Sequence, residues 1–353
     1  MDYNKEIQDL LQVVINEGGS DLHLSEGRHP TIRVTGTLLP LVKKPIISHE
    51  DLEGFLTVLT TKKAMEKFIA TKELDFGYQY KDVARFRGNA FFQQGHMGAV
   101  LRLIPKQIKS ISELSLPSIL ETFARKRQGF FLVVGPVGQG KTTTLAALIE
   151  LINTERAEHI ITIEDPVEYL FEQKKSIIDQ REVGLDTSTF ESGLLSVFRE
   201  DVNVLLVGEM RGHETMAAAV TAAETGHLVF STLHTNNAAQ SIDRIIDSFP
   251  PNQQDQIRLQ LASSLTGIFS QRLIPRISGG MVPAYELLIS NSAVANLIRE
   301  KRTHELNTVI ETGLQEGMID INRCLADLVR RGEITIENAY LHSLNPSILE
   351  RLL

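Results

Sequence analysis

A phosphate-binding loop pattern constrains this chain more than any other feature of its sequence. Residues 135–142 read GPVGQGKT and fit the pattern G-x-x-x-x-G-K-[ST]. An apolar run at 130–134 precedes the pattern, and a helical repeat with Leu145, Leu148 and Ile149 follows it. This strand–loop–helix order suits an anion site, because the glycines let backbone N–H groups converge and the helix turns its positive end toward the same point.

The pattern therefore predicts a site for ATP with Mg²⁺. Lys141 is expected to reach the β- and γ-phosphates, and the Thr142 hydroxyl is expected to hold Mg²⁺. The alternative is a Gly-rich turn with a chance Lys-Thr, which leaves the flanking strand and helix patterns unexplained. The predicted nucleotide-binding residues are Gly135, Pro136, Val137, Gly138, Gln139, Gly140, Lys141, Thr142 and Thr143.

Composition places limits on the class of protein. The chain has 353 residues, 42% hydrophobic and 23% charged, which is typical of a globular protein with two domains. Its formal net charge of −8 argues against a protein that mainly coats nucleic acid. The single cysteine, Cys324, excludes an internal disulfide and a cysteine-based zinc site. No apolar window of about 18 residues exists, so we expect a cytoplasmic protein that meets a membrane only through partners.

Hydrophobic periodicity divides the chain into two parts. Residues 1–105 combine an amphipathic helix with short strand patterns and are predicted to form a small α+β domain. Residues 106–117 are predicted to be a linker, because they lack periodicity and prolines bound them. Residues 118–353 alternate apolar strands with helices, which predicts an α/β domain with a mostly parallel sheet. From about residue 251 onward the pattern predicts mainly helix.

Two acidic residues follow strand patterns that we expect beside the loop. Glu209 comes after the apolar pattern at 203–207, and Glu164 follows the strand predicted at 159–163. Hydrolysis of ATP needs carboxylates that hold Mg²⁺ or orient water, and such groups lie where parallel strands end. We predict Glu209 as a catalytic and metal-binding residue and Glu164 as a second catalytic acid. The alternative for both is a solvated turn, which the Asp-Pro after Glu164 also favours.

Histidines and arginines supply further candidates. His227 and His234 flank a predicted strand, and His234 is the better candidate for sensing the γ-phosphate because it lies at the carboxyl end. A lone histidine is, however, more often a packed core residue. Arg85 and Arg87 share one face of a strand, and Arg102 lies on the next strand. Permanent charge and forked donors suit these arginines to phosphate contacts, whereas the alternative is a solvated charged face.

Several segments together resemble the secretion-type ring ATPases and, among them, the type IV pilus retraction motors. Residues 162–168 are similar to the Asp box of that family, 207–211 to its Walker B segment and 221–235 to its His box. The matching segments also include 19–25 (GSDLHLS), 84–91 (ARFRGNAF) and the phosphate loop.

The resemblance implies a RecA-like P-loop ATPase domain with a smaller N-terminal α+β (PAS-like) domain. It implies a homohexamer that hydrolyses ATP bound between these domains and drives pilus retraction and twitching motility. The ring would lie at the inner face of the cytoplasmic membrane, against an inner-membrane platform protein. Lys141 and Thr142 would bind phosphates and Mg²⁺, and Glu164 and Glu209 would serve hydrolysis. The resemblance also supports cross-subunit phosphate contacts for the arginines of the first domain.

The chain departs from the family pattern at a few positions. Ala295 stands in the segment 293–300 where retraction motors commonly have arginine, Gln139 replaces a common serine, and 201–203 differ before the Walker B strand. The four-cysteine zinc module of the assembly motors is missing. An accessory retraction ATPase or an assembly ATPase remains an alternative. A nucleic-acid ring motor is a weaker one, because the chain is acidic and has no basic, aromatic-rich stretch.

Overall fold

The computed structural model describes residues 2–34, 36–104 and 107–353, which form two compact units. The first unit comprises Met1–Gln107 together with Asp165–Leu170, and the second comprises Ile108–Glu164 together with Phe171–Leu353. The predicted domain boundary at 105–106 lies outside the described residues. Within the predicted linker, Ile111 and Leu116 are buried in the second unit. The sequence pattern gave no indication that 165–170 belongs with the first unit.

In its described residues, the first unit consists of an antiparallel sheet and three helices. Its elements are α1 (Tyr3–Asn16), β1 (Asp21–Ser25), β2 (Thr31–Val34), β3 (Thr37–Pro40), α2 (His49–Leu59), α3 (Lys62–Thr71), β4 (Glu73–Tyr80), β5 (Ala84–Gln93) and β6 (His96–Ile104). The strand order is β3-β2-β1-β6-β5-β4. Helix α1 buries Ile7, Leu10, Leu11 and Val14, because residues at spacings of three and four share one helix face. This architecture is the small α+β fold that the sequence predicts.

The second unit is built on a seven-stranded sheet of order β13-β12-β7-β11-β10-β8-β9. All neighbours pair in parallel except β12 and β13, which are antiparallel. Its elements are α4 (Leu120–Ala124), β7 (Gly129–Val134), α5 (Lys141–Glu155), β8 (His159–Glu164), β9 (Ile177–Glu182), α6 (Phe190–Val197), β10 (Val204–Val207), α7 (His213–Glu224), β11 (Leu228–Leu233), α8 (Ala238–Asp247), α9 (Pro251–Ser264), β12 (Leu265–Pro275), β13 (Met281–Ile289), α10 (Ser292–Arg299), α11 (Leu306–Thr312), α12 (Ile321–Arg330), α13 (Ile336–His342) and α14 (Pro346–Leu352), with 3₁₀ turns at Thr303–Glu305 and Leu314–Glu316. The parallel sheet confirms the predicted α/β class.

Both faces of this sheet are covered by helices, so its central strands are apolar along their whole length. Strand β7 is buried at every residue. Successive side chains of a strand point to opposite faces. Phe131 accordingly lies in one hydrophobic cluster with Leu148 of α5, whereas Leu132 lies in a different cluster with Ile242 of α8. The helices that carry the loops at the sheet edge are thereby held against a rigid core.

The described segment from residue 251 onward contains six α-helices, and it also contains two strands that the sequence pattern did not indicate. Residues 265–275 and 281–289 form β12 and β13, and β12 lies beside β7 in the sheet. Polar and apolar residues of β12 follow no strict alternation, because both of its faces are buried and some buried positions are polar. Among the described residues, no helix has the length and apolar character that crossing a bilayer requires.

Replacing Phe230 by alanine should lower the free energy of unfolding by about 3–5 kcal/mol, because the large cavity cannot close in a rigid core. Phe230 is fully buried in β11 and contacts Phe131 edge to face, with ring centroids 6.0 Å apart. The matched control is Phe198→Ala, at a side chain that is 40% exposed, where the loss should stay below about 1 kcal/mol. Chemical denaturation measures both. Equal losses would contradict the described core.

A second stability prediction concerns Glu286 on β13. Burial raises the pKa of its carboxyl from 4.5 to about 7; the Ala238 backbone N–H and Arg272 oppose this rise, and Asp320 adds to it. A raised folded-state pKa contributes stability below pH 4.5 that is lost as the pH rises to about 7. The difference between the Tm of E286Q and that of the wild type should therefore increase as the pH rises from 4.5 to about 7. At higher pH this difference should stay constant. If the Tm of both proteins changed equally with pH, the result would contradict the burial of Glu286.

Candidate active site

The phosphate-loop residues lie between β7 and α5, as the pattern predicts. Gly135 has φ 146°, and a Cβ there would lie 2.4 Å from the carbonyl oxygen of Gln271 on β12. Gly138 and Gly140 both have φ 77°, in the left-handed region that favours glycine. The loop therefore needs glycine at these positions for its close approach to β12 and for its turns.

The first turn of α5 suits an anion. Its N-cap residue is Gly140, which has no side chain to accept from the first N–H groups. The 15-residue helix therefore directs its N-terminal N–H groups and its dipole toward the loop. Thr142 and Thr143 are half-buried in this turn, whereas Val137 at the tip of the loop is 78% exposed. A phosphate group fits this cradle in charge and in hydrogen-bonding capacity.

The Lys141 side chain is buried beneath the loop. Its Nζ donates to the backbone oxygens of Gly135 at 2.8 Å and Pro136 at 2.9 Å. The same nitrogen lies 3.3 Å from Nδ1 of His234, at the end of β11. The loop that precedes Lys141 thus positions its ammonium group. The same group contacts His234 at the end of the neighbouring strand β11.

Gln271 of β12 forms hydrogen bonds that hold the phosphate loop in place. The sequence analysis did not identify this residue. Its Nε2 donates to the Gln139 oxygen at 2.8 Å, and its Oε1 accepts from the Thr144 hydroxyl at 2.6 Å. The backbone N–H of Leu273 donates to Oε1 of Gln139 at 2.6 Å. The sequence contains no clear signal for it, because Ser270 and Arg272 are polar neighbours and nothing local marks Gln271 as the buried amide that requires hydrogen-bond partners.

Glu209 follows the β10 strand, as predicted, and its side chain is 19% exposed. Its Oε1 lies 2.5 Å from a guanidinium nitrogen of Arg211, and its Oε2 lies 3.9 Å from Nε2 of His234. The preceding Gly208 is tied to β11, since its backbone oxygen accepts from the Thr232 hydroxyl at 2.7 Å. The structure therefore brings Glu209 and His234 together, and it adds Arg211, for which the sequence analysis gave no separate role.

His234 lies between a cation and an anion. Burial lowers the pKa of its imidazole, Lys141 and Arg211 lower it further, and Glu209 acts in the opposite direction. The neutral ring accepts at Nδ1 from the Lys141 ammonium, so the hydrogen-bond network assigns the ring proton to Nε2. Nε2 lies 3.9 Å from Oε2 of Glu209, which is beyond hydrogen-bond distance but close enough for electrostatic attraction. Lys141, His234 and Glu209 therefore lie in a row across two strand ends.

Glu164 is the last residue of β8 and is buried. The Thr162 hydroxyl donates to its Oε1 at 2.7 Å. Because Ile163 pairs with Val207, the ends of β8 and β10 are adjacent, and a Cβ at Gly208 would lie 3.3 Å from the Cα of Glu164. Glu164 and Glu209 consequently leave neighbouring strands at the same edge of the sheet.

The candidate site contains oxygen donors for a metal ion, but its own side chains do not form a complete set of metal ligands. No cluster of three acidic, histidine or cysteine residues among the described residues could hold a metal ion. The Thr142 hydroxyl and the Glu209 carboxylate are hard oxygen donors of the kind that Mg²⁺ prefers, and Mg²⁺ commonly completes its shell with substrate phosphates and water. These two residues fit a metal that arrives with a nucleotide.

The arginine candidates lie in the first unit and have partners there. Nε of Arg85 donates to the Val167 oxygen at 2.8 Å, and Arg87 pairs with Glu168 at 2.6 Å. Arg102 pairs with Asp21 at 2.9 Å. Both Val167 and Glu168 belong to the segment 165–170, which follows Glu164 in the chain.

His227 lies at the amino end of β11, after α7. Its Nδ1 is 2.9 Å from the Ala222 oxygen, and its ring contacts Phe198 edge to face. These contacts indicate a structural role for His227 at the C-terminal end of α7. The imidazole at the carboxyl end of the same strand, His234, is the one that reaches Lys141.

Comparisons with known proteins agree with this architecture. The family model for type II/IV secretion system proteins matches residues 3–323. The type IV pilus retraction ATPase PilT of Pseudomonas aeruginosa is 43% identical over 95% of this chain and 97% of its own length. The type IV pilus ATPase PilU of the same organism is 38% identical over 96% of this chain and 88% of its own.

A solved structure shows the same fold. The crystal structure of the pilus retraction motor PilT with bound ADP superimposes with a TM-score of 0.90 at 43% identity, covering 98% of this chain and 99% of that chain. This likeness confirms the predicted fold class. Since the family model spans most of its length and these relatives match nearly all of it, the chain belongs to the type II/IV secretion system protein family.

Proposed function

We propose that this chain is an ATP-hydrolysing motor that drives type IV pilus retraction. The observation that carries the ATPase proposal is the convergence of Lys141, His234 and Glu209 beneath a glycine loop at one edge of the sheet. The bound ADP in the related pilus retraction motor supports a nucleotide at this position. The similarity to PilT over nearly the whole chain supports retraction as the work performed.

The loop and Lys141 bind the triphosphate of ATP. Backbone N–H groups of the loop and of the first α5 turn cradle the phosphates, and the Lys141 ammonium neutralises the β- and γ-oxygens. Thr142 and Glu209 would hold Mg²⁺, which would supply charge stabilisation at the phosphoryl group. The ammonium now contacts two backbone oxygens and the His234 ring, so binding of phosphate oxygens would replace at least one of these three contacts.

The carboxylates prepare the attacking water. Glu209 accepts a hydrogen bond from this water and orients it toward the γ-phosphorus, and Glu164 supports the same edge from the neighbouring strand. The Nε2–H of His234 faces both Glu209 and the terminal phosphate region, so His234 senses whether the γ-phosphate is present. Arg85, Arg87 and Arg102 serve as phosphate contacts of the same or an adjacent subunit, where a guanidinium stabilises transition-state charge.

To act on a pilus, the chain must form an oligomer and bind a partner protein. We place the chain in a homohexameric ring in the cytoplasm, against an inner-membrane platform protein at the base of the pilus. ATP binding and release move residues 1–105 relative to 118–353 about the segment 106–117. Such a motion follows from nucleotide only if one arrangement binds it more tightly.

An accessory retraction ATPase is the second candidate, and the similarity to PilU favours it. Ala295, which departs from the retraction-motor pattern, is buried in α10. Deleting the gene in its host separates the functions. Loss of twitching with pili retained supports a main retraction motor, a phenotype only under load supports an accessory one, and loss of pili contradicts retraction.

Lys141→Ala should lower ATP turnover at least about 100-fold, because it removes a preorganised charge from the developing transition state. Release of phosphate by the purified protein with Mg²⁺ measures this loss. Lys126→Ala, at an exposed lysine of the same unit, is the matched control and should leave turnover unchanged. The K141A gene should also fail to restore twitching to a deletion strain. Undiminished turnover in K141A would exclude the assigned site.

Glu209→Gln should separate binding from hydrolysis. The amide keeps the shape of the side chain but cannot take a proton, so kcat should fall by about 10²–10⁴-fold while ATP is still retained. Glu214→Gln, at a carboxylate that is 52% exposed on the following helix, is the control. Fluorescent-nucleotide titration and phosphate release give the two readouts. A variant that loses binding and hydrolysis equally would assign Glu209 to nucleotide affinity alone.

A further inference from the structure

Strand β12 contacts two different loops of the candidate site with successive residues. Gln271 points to the face covered by α5, whereas Ser270 and Arg272 point to the face covered by α8. Neighbouring side chains of a strand alternate between its faces and rise by about 3.3 Å per residue. Contacts made by consecutive residues of one strand are therefore held at a nearly constant separation.

The face toward α5 holds the phosphate loop. Gln271 binds the Gln139 oxygen and the Thr144 hydroxyl, which lie on either side of Lys141 in the sequence. The carbonyl oxygen of Gln271 also limits how far Gly135 can shift. These contacts determine the position of the loop from which Lys141 projects.

The face toward α8 holds the segment 234–238, which carries His234. The Ser270 hydroxyl donates to the Asn236 oxygen at 2.9 Å, and Arg272 approaches Oδ1 of the same residue at 3.4 Å. Asn236 follows His234 by two residues. The segment that orients the imidazole is thus attached to the same strand as the phosphate loop.

Glu286 of β13 also holds the segment 234–238 against the β12–β13 hairpin. It lies opposite Ser270 in the strand pairing. Its side chain is buried, and Oε1 accepts from the backbone N–H of Ala238 at 2.8 Å. Ala238 is the first residue of α8. A buried carboxyl group therefore fixes the start of the helix that follows His234, at the helix end where an acceptor is most favourable.

We propose that the β12–β13 hairpin sets the spacing between Lys141 and His234, with Gln271 positioning the phosphate loop and Glu286 positioning the segment 234–238. Both are positioning residues: Gln271 acts through the Gln139 backbone oxygen and the Thr144 hydroxyl, and Glu286 acts through the backbone N–H of Ala238. The 3.3 Å contact between Lys141 and His234 depends on both attachments, because the two side chains come from separate loops. The catalytic consequence rests on the proposed ATPase function, whereas the positioning itself does not.

Hydrogen exchange of the full-length protein without nucleotide tests the positioning directly. Gln271→Ala should speed amide exchange by about tenfold in peptides covering 136–144 and leave 234–241 unchanged, since one set of anchoring hydrogen bonds is lost. Glu286→Ala should do the reverse. Tyr285→Phe is the matched control on β13, because Tyr285 packs against Phe269 on the opposite face and should change neither segment.

Steady-state kinetics give a second readout. Q271A should raise the KM for ATP with a smaller change in kcat, because the loop that binds phosphate is loosened. E286A should lower kcat about tenfold and change KM less than about twofold, because His234 shifts while the loop stays in place. E286Q should recover kcat, since the amide oxygen can still accept from Ala238.

The outcomes separate the two proposals. If the wild type hydrolyses no ATP, the proposed function fails, and exchange alone still decides the positioning. Loosening of both segments in each variant, or of neither, would overturn the positioning role. If E286A does not fold, Ser270→Ala replaces it, and unchanged exchange in 234–241 of that variant would equally overturn the proposal.

Discussion

The close approach of Gly135 to the carbonyl oxygen of Gln271 is the contact on which the site depends. No side chain fits at that position, because a Cβ would lie 2.4 Å from a backbone oxygen. The contact lets the chain turn directly from β7 into the loop and then into α5, so that the N–H groups of the first turn face one point. Lys141 is placed by the same turn, since its ammonium is held by the backbone oxygens that precede it.

A parallel sheet then brings the remaining polar groups to this point. Strands β8, β10 and β11 all end at the same edge as β7, and they carry Glu164, Glu209 and His234. Burial and nearby cations lower the pKa of the His234 imidazole, which favours the neutral ring that accepts from Lys141. A charged imidazole in this place would repel the ammonium and weaken the row.

The proposed motor requires that hydrolysis at the candidate site be communicated to other parts of the molecule. A site whose two loops share one strand can respond as a unit, because a shift of β12 moves Lys141 and His234 together. The first-unit arginines are already engaged by the segment 165–170, which leaves the sheet immediately after Glu164.

The amino-acid sequence by itself determined the loop, its lysine and the acids after β8 and β10, because these signals are local: glycine spacing, apolar runs and the residue at which each run ends. It also predicted His234 from its place after a strand. Only the tertiary structure revealed Gln271, Glu286 and Arg211, and only there did residues 265–289 become strands. The partners of Gln271 lie more than a hundred residues away, and Glu286 bonds Ala238, 48 residues before it, so neither contact is marked in the local sequence. Arg211 is close to Glu209 in the sequence, but their pairing is visible only in the folded chain. The strands at 265–275 and 281–289 lie in a sheet buried on both faces, where the alternation that marks a strand is lost.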